Sequence, residues 1–384
     1  MNITFLLGNG FDIQCGLQTS YIHFYEYILK KKYSLDLSQE MDEKFVSKID
    51  NMIYSEIYKS KDNIQTWADL EFQLGVFTKR LKEENQDTNL ADNFLDDFET
   101  LREDLNDYLK GIQIQDDVQI NENFSEILFT TMDKFFHGVF EQEHDEIKSM
   151  LIDNINSHFN YWVISFNYTN NLQIVLQNSS KNTKSNSFNG SFPNQNFNKA
   201  IINVHGVIDR FLTLGLNDES QLASDFFEKD DLEDLLKPDS LVNNREYMRR
   251  DAENTIENSD IIVVFGMSIG LTDKHWWEKI AEVLLKSRYK KLIIHLYENE
   301  ASYVSPRKVR IRRKKKEDEF LSHLDKLELS DEKISQLRKQ IYIVTNSPYI
   351  VNVDLRKYLK QVENKTDNII DFETKDNKLP ETAT

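Results

Sequence analysis

The stretch LLGNGFDIQCGLQTSY, residues 6 to 21, constrains this chain more than any other. A short apolar run, Ile3 to Leu7, ends at Gly8; Asn9, Gly10, Phe11 and Asp12 follow, then Gly16, Thr19 and Ser20. A buried strand that enters a glycine-rich turn and then a helix is how α/β proteins hold a nucleotide. Glycines let the backbone approach a phosphate, and a helix N-terminus offers free N–H groups with partial positive charge. The loop therefore fixes where a site is expected, not which reaction occurs there. The dinucleotide fingerprint G-x-G-x-x-G needs a glycine where Ile13 stands. The chain also continues into helices rather than to a second strand ending in an acidic residue. A hydride-transfer enzyme is thereby disfavoured, and a tight structural turn is the plain alternative.

The 384 residues are 39% hydrophobic and include 24 Phe and 16 Tyr, enough to fill a core and to exclude a disordered chain. The net charge of -18 disfavours nucleic acid and anionic membranes as general partners. The single cysteine, Cys15, excludes an intramolecular disulfide. No secretory leader follows Met1, and no apolar run approaches the roughly 18 residues of a membrane-spanning helix. A soluble cytoplasmic protein is expected. No metal-ligand spacing stands out, so no metal site is expected.

Strand patterns fall at residues 2–7, 161–166, 201–204, 211–214, 261–265 and 292–296. Ser20 is expected to open a helix through about Lys31, and another is expected over 273–286. Trp67, Leu70, Leu74 and Phe77 form a helical stripe within 38–158, which is nearly free of glycine and proline. The reading is an α/β fold with a largely parallel, Rossmann-like sheet. Its expected parts are a discontinuous core of residues 1–37 and 159–350, a helical insertion at 38–158 and a C-terminal extension at 351–384. Residues 178–199, rich in Asn, Ser and Gly, read as a loop, and the polar tail from about 364 reads as frayed. Residues 307–316 hold eight Lys or Arg, read as a solvated edge or loop because no aromatics interleave to stack bases.

Three further segments carry candidate chemistry. In Ser165-Phe166-Asn167-Tyr168-Thr169, Asn167 offers an amide at a strand's carboxyl end, where ligands gather in open α/β sheets; taken alone it suits a turn or helix cap better. In Asn203-Val204-His205-Gly206, His205 is a side chain able to take a proton near neutral pH, or a structural histidine. In Phe265-Gly266-Met267-Ser268-Ile269-Gly270-Leu271-Thr272-Asp273, Gly266 and Ser268 are candidate ligand contacts, while Asp273 reads as a helix cap. Glu71 shares the apolar stripe of Trp67 and Leu74. A carboxylate there is either salt-bridged at the margin or held over the cleft.

The four loops GNGFD, SFNYT, VHG and FGMSIG follow one another in an order that resembles the sirtuin family, where comparable loops surround NAD. The wording of the first loop, the W-x-D-L-E stretch from Trp67 to Glu71, SFNYT and FGMSIGLTD resemble the AbiH family of bacterial abortive-infection proteins still more, over most of residues 2–290. The resemblance implies a sirtuin-type sheet and an anti-phage effector that hydrolyses NAD when activated. It implies that Gly8, Asn9, Gly10, Phe11 and Asp12 hold phosphates and ribose, with Thr19 and Ser165 beside them and Gly266 and Ser268 near the adenosine ribose. Asn167 then contacts the nicotinamide ribose, His205 is the base, and Asp12 or Glu71 stabilises the developing cation. Two departures stand out: Thr169 replaces the sirtuin aspartate, and the zinc cysteines are absent, which disfavours a protein deacetylase. A homo-oligomer, a defence-system partner or a phage-derived trigger is expected to gate the activity. A nucleotide sensor without turnover, an assembly protein and a nucleic-acid-cleaving effector are the rival readings.

Overall fold

The computed structural model describes residues 1–38, 42–84, 89–114, 119–120, 122–179, 190–210, 212–297 and 305–360. Its strands are β1 (Asn2–Leu7), β2 (Gln119–Ile120), β3 (Phe159–Ser165), β4 (Gln195–Asn203), β5 (Ile261–Phe265), β6 (Lys291–Leu296), β7 (Ile341–Thr345) and β8 (Leu359–Lys360). Six of them form one sheet in the order β4-β3-β1-β5-β6-β7, parallel throughout. With the small antiparallel pair β2–β8 set aside, this is the 3-2-1-4-5-6 order of a doubly wound Rossmann sheet. The order reverses between β1 and β5. The register makes the strand ends level there, with Leu7 beside both Ser165 and Phe265, and Ser165 beside Asn203. Everything that follows these residues therefore gathers at one edge.

The first helices are α1 (Gly10–Gln14), α2 (Tyr21–Tyr33), α3 (Glu43–Val46), α4 (Met52–Lys59), α5 (Leu70–Glu84) and α6 (Asn89–Ile112). Then come α7 (Glu122–Asp133), α8 (Glu141–Asp153), α9 (Asn171–Ser179) and α10 (Lys229–Leu235). The last are α11 (Lys237–Glu257), α12 (Lys274–Lys286), α13 (Pro306–Ser322) and α14 (Asp331–Arg338). Side chains alternate across a strand, so β1 sends Ile3, Phe5 and Leu7 to one face and Leu6 to the other. The first face is covered by α7, α8 and α9, the second by α11, α12, α13 and α14. A separate core joins α2, α4, α5 and α6 to residues 208–236. In α6 it is built from Phe94, Phe98, Leu101, Leu105 and Tyr108, one stripe at helical spacing.

The segment expected to be one helical insertion thus divides between two cores. Its α7 and α8 lie on the sheet, and Val351 and Leu355 of the expected C-terminal extension, 351–384, pack there too. Other differences have local causes. The basic run is helical, because the Ser305 hydroxyl accepts from the Lys308 N–H and Pro306 fits the first turn. It leads through α14 into β7, a strand absent from the sequence reading. At 211–214, Leu212 makes only an isolated bridge to Gly206, and Phe211 lies outside the described residues. Trp67 belongs to a 3-10 turn, Lys61–Ala68, ahead of α5 rather than to its stripe. Residues 180–189 of the Asn-rich stretch and the tail from 364 lie outside the described residues, while 195–203 is strand. Among the described residues, no helix is long and apolar enough to cross a membrane.

Candidate functional site

The two glycine loops meet at the point where the sheet order reverses, and each explains the other's glycines. The Gly8 N–H donates to Phe265 O at 3.0 Å, the Gly10 N–H to Gly266 O at 2.8 Å, and the Phe11 N–H to Gly8 O at 2.9 Å. A Cβ on Gly10 would sit 2.5 Å from Gly266 Cα, and one on Gly266, whose φ is +68°, would sit 2.6 Å from Phe11 N. These N–H groups are therefore engaged by backbone carbonyls of the two loops rather than left free for a phosphate. The Phe11 ring is a core group, packed edge-on to Phe265. Asn9 and Thr19 pair with each other, Asn9 Nδ2 donating to Thr19 O at 2.8 Å and Thr19 Oγ1 to Asn9 Oδ1 at 2.5 Å. Ser268 is exposed at the rim of the β5 loop.

Asp12 points inward and is buried. It accepts hydrogen bonds from the Thr169 hydroxyl and, at 3.2 Å, from Asn171 Nδ2. Burial pushes its carboxyl up to about 6, against the lowering effect of those two donors. Thr169, the residue that departs from the sirtuin pattern, is thus the partner of the first loop's aspartate. Ser165 holds the next turn, its Oγ accepting from the Asn167 N–H at 3.2 Å.

The sequence reading names His205, Glu71 and Asp273 separately; the fold joins them through Lys237, a residue it missed. His205 Nε2 lies 3.2 Å from Asp273 Oδ1, within ion-pair reach but out of line for a hydrogen bond. The same Asp273 oxygen is 3.2 Å from Lys237 Nζ, which is 2.7 Å from Glu71 Oε2. The other Glu71 oxygen accepts from the Gly215 N–H at 3.3 Å, and the Tyr168 hydroxyl donates to Thr213 O at 3.1 Å beside it. Four segments supply this chain: the first turn of α5, the turn after β4, the start of α11 and the loop after β5. Asp273 is therefore an ion-pair partner rather than the helix cap expected, since its side chain makes no capping bond to α12. Lys237 is the first residue of α11, where the helix dipole disfavours a cation. That misplacement was the one signal of its role in the sequence.

Burial disfavours the charged forms throughout the cluster. It lowers the His205 imidazole below its usual range, with Lys237 adding to the effect, so the ring is neutral at physiological pH. Burial raises Glu71 to about 7, opposed by Lys237 and assisted by Asp273. For Asp273 burial is outweighed chiefly by Lys237, which holds its carboxyl well below the usual range. Lys237 is held protonated by its two carboxylates despite burial. With Asp273 ionised, Lys237 protonated, the imidazole neutral and Glu71 titrating near 7, the cluster carries between zero and one net negative charge at neutral pH.

The same edge holds buried polar atoms without a hydrogen-bond partner: Asp12 Oδ1, Asn167 Oδ1, His205 Nε2 and Thr213 Oγ1. Native proteins leave few such atoms, and those they leave mark catalytic groups, strain or a place for a bound polar species. Asn167 and His205 are 6% and 4% exposed, and the imidazole packs edge-on to Phe166 with ring centroids 5.1 Å apart. Among the described residues, no group of three or more His, Cys, Asp or Glu is arranged to hold a metal.

Fold and site together define a doubly wound Rossmann-type α/β protein with a buried His–Asp–Lys–Glu chain at the carboxyl edge of its sheet. The profile of the family described as bacteriophage abortive infection AbiH matches residues 4–295. The chain belongs to that family, which makes it an abortive-infection anti-phage defence protein. No curated protein matches it.

Proposed function

We propose that this protein acts in abortive infection by hydrolysing NAD at the nicotinamide–ribose bond. The observation that supports this reading best is a neutral, buried His205 at the head of an ion-pair chain, with an unpartnered, buried Asn167 oxygen at the same edge of the sheet. The reaction passes through an oxocarbenium-like state, and a buried negative field stabilises a developing cation where no water screens it. Nicotinamide leaves as a neutral molecule and needs no strong acid. His205 takes the proton of the attacking water as its oxygen bonds to the ribose carbon, and Asn167 orients that water or the ribose hydroxyls. Asp273 and Lys237 position the imidazole and Glu71. Glu71 and Asp12 add negative potential. NAD phosphates would lie toward the exposed rim at Ser268, because the glycine N–H groups are already engaged.

The closed state suits an effector that must spare its host until infection. Reaching His205 requires the loops over it to part, so a trigger that opens them would start the reaction. The test is metabolite profiling of cells that express the wild type or His205→Ala, with and without phage, followed by assay of purified protein on NAD. Loss of NAD with gain of ADP-ribose and nicotinamide in the wild type alone is the expected result. Unchanged NAD in infected, protected cells would overturn the reading.

A further inference from the structure

Two helix faces of opposite charge lie on different parts of this molecule, and neither is matched within the described residues. The face of α6 opposite its apolar stripe carries Asp92, Asp96, Glu99, Glu103 and Asp107, all exposed and spaced by four, three, four and four residues. At helical rise this is one stripe about 22 Å long. Glu99 pairs with Arg102 on its own helix, and the other four form no ion pair with a described residue. On α13, Arg307, Lys308, Arg310, Lys314 and Lys315 are exposed around an exposed Ile311, while Arg313 and Phe320 face inward. None of these five cations forms an ion pair with a described residue. α13 packs on the sheet side with β7, whereas α6 belongs to the separate helical core.

We propose that α13 of one copy docks along the acidic stripe of α6 of a second copy. One contact then accounts for both unmatched faces. A chain of net charge -18 gains nothing from a cationic helix face by itself, and that face has no aromatic side chain on which bases could stack. The attraction acts at contact distance, whereas the repulsion between the two acidic bodies is spread over their surfaces and screened beyond about 8–10 Å. Because the two faces are different patches, a single contact leaves one copy a free α6 and the other a free α13, and association either closes, as a reciprocal two-fold dimer or a larger ring, or continues into a filament.

Charge exchange tests this with the full-length chain by sedimentation velocity over a wide concentration range. Wild type should self-associate, with the association constant falling roughly tenfold or more between low salt and about 0.5 M salt. Reversing α13 (Arg307→Glu, Lys308→Glu, Lys314→Glu, Lys315→Glu) should abolish association, and so should reversing α6 (Asp96→Lys, Glu103→Lys, Asp107→Lys). Combining both sets in one chain should restore it. The neutral exchanges Lys→Gln, Asp→Asn and Glu→Gln at the same positions should weaken it without reversing it, and they replace any reversed chain that fails to fold. A monomer under all conditions would overturn the proposal. So would loss of association on reversing α13 but not α6, or a failure of the doubly reversed chain to associate while single-stranded DNA binds the wild type and not the α13 variant.

Discussion

Lys237 is the residue whose removal should cost this fold most for a single charge. It is 4% exposed and lies 2.7 Å from Glu71 and 3.2 Å from Asp273. At an effective dielectric of about 20, the gross attractions are about 6 and 5 kcal/mol, set against several kcal/mol of desolvation for each ion. Lys237→Met keeps the apolar stem but leaves two buried carboxylates uncompensated, so the expected loss is about 3–5 kcal/mol. That loss depends on pH. Without the ammonium, both carboxyls titrate in the folded state above their unfolded values, so each resists ionisation there. The variant should therefore weaken further as pH rises from about 5 to 8 and regain stability on acidification. Glu71→Gln in the Lys237→Met background should recover a large part of the loss, a coupling that a double-mutant cycle in urea unfolding reads directly. A loss under about 1 kcal/mol, independent of pH, would refute the account of Lys237 as the centre of a buried ion-pair chain.

Other consequences follow from the same edge of the sheet. The shift of Asp12 from its ordinary 3.8 to about 6 means that its ionisation opposes folding by about 3 kcal/mol at neutral pH. Asp12→Asn should raise the melting temperature at pH 7.5 and leave it unchanged near pH 4, and a drop at pH 7.5 would contradict this. Gly266→Ala, at φ +68° against Phe11 N, should destabilise by more than about 1 kcal/mol in thermal unfolding. Asn167→Ala removes an oxygen with no partner, so it should cost about 1 kcal/mol or less in urea unfolding while abolishing NAD turnover and protection against phage. A large loss of stability would make Asn167 a scaffold residue instead.

The strand–glycine–helix start, the placing of loops at strand ends and the α/β class were legible because each rests on a local rule. Apolar runs that end in glycine are strands that stop, and Ser20 caps α2 at the expected position. The strands at 261–265 and 292–296 are legible nearly to the residue because a fully buried parallel strand is an unbroken apolar run. β7 was not legible although IYIVT carries the same pattern, because a basic run precedes it and nothing local says that a helix there returns to the sheet.

The sequence by itself determined which loops carry Asp12, Asn167, His205 and Gly266, since strand ends and turns are written in neighbouring residues. Only the tertiary structure decided what those residues do to one another. It joined the two glycine loops through their backbones, the Gly8 and Gly10 N–H groups bonding carbonyls of the β5 loop at a spacing that leaves no room for a Cβ. It moved Asp273 from a cap to an ion pair and brought in Lys237, 166 positions beyond Glu71, because a buried cation is set by the charges around it. Charges that meet across such separations leave no periodicity in the chain, and their energies exist only once burial has removed the water between them.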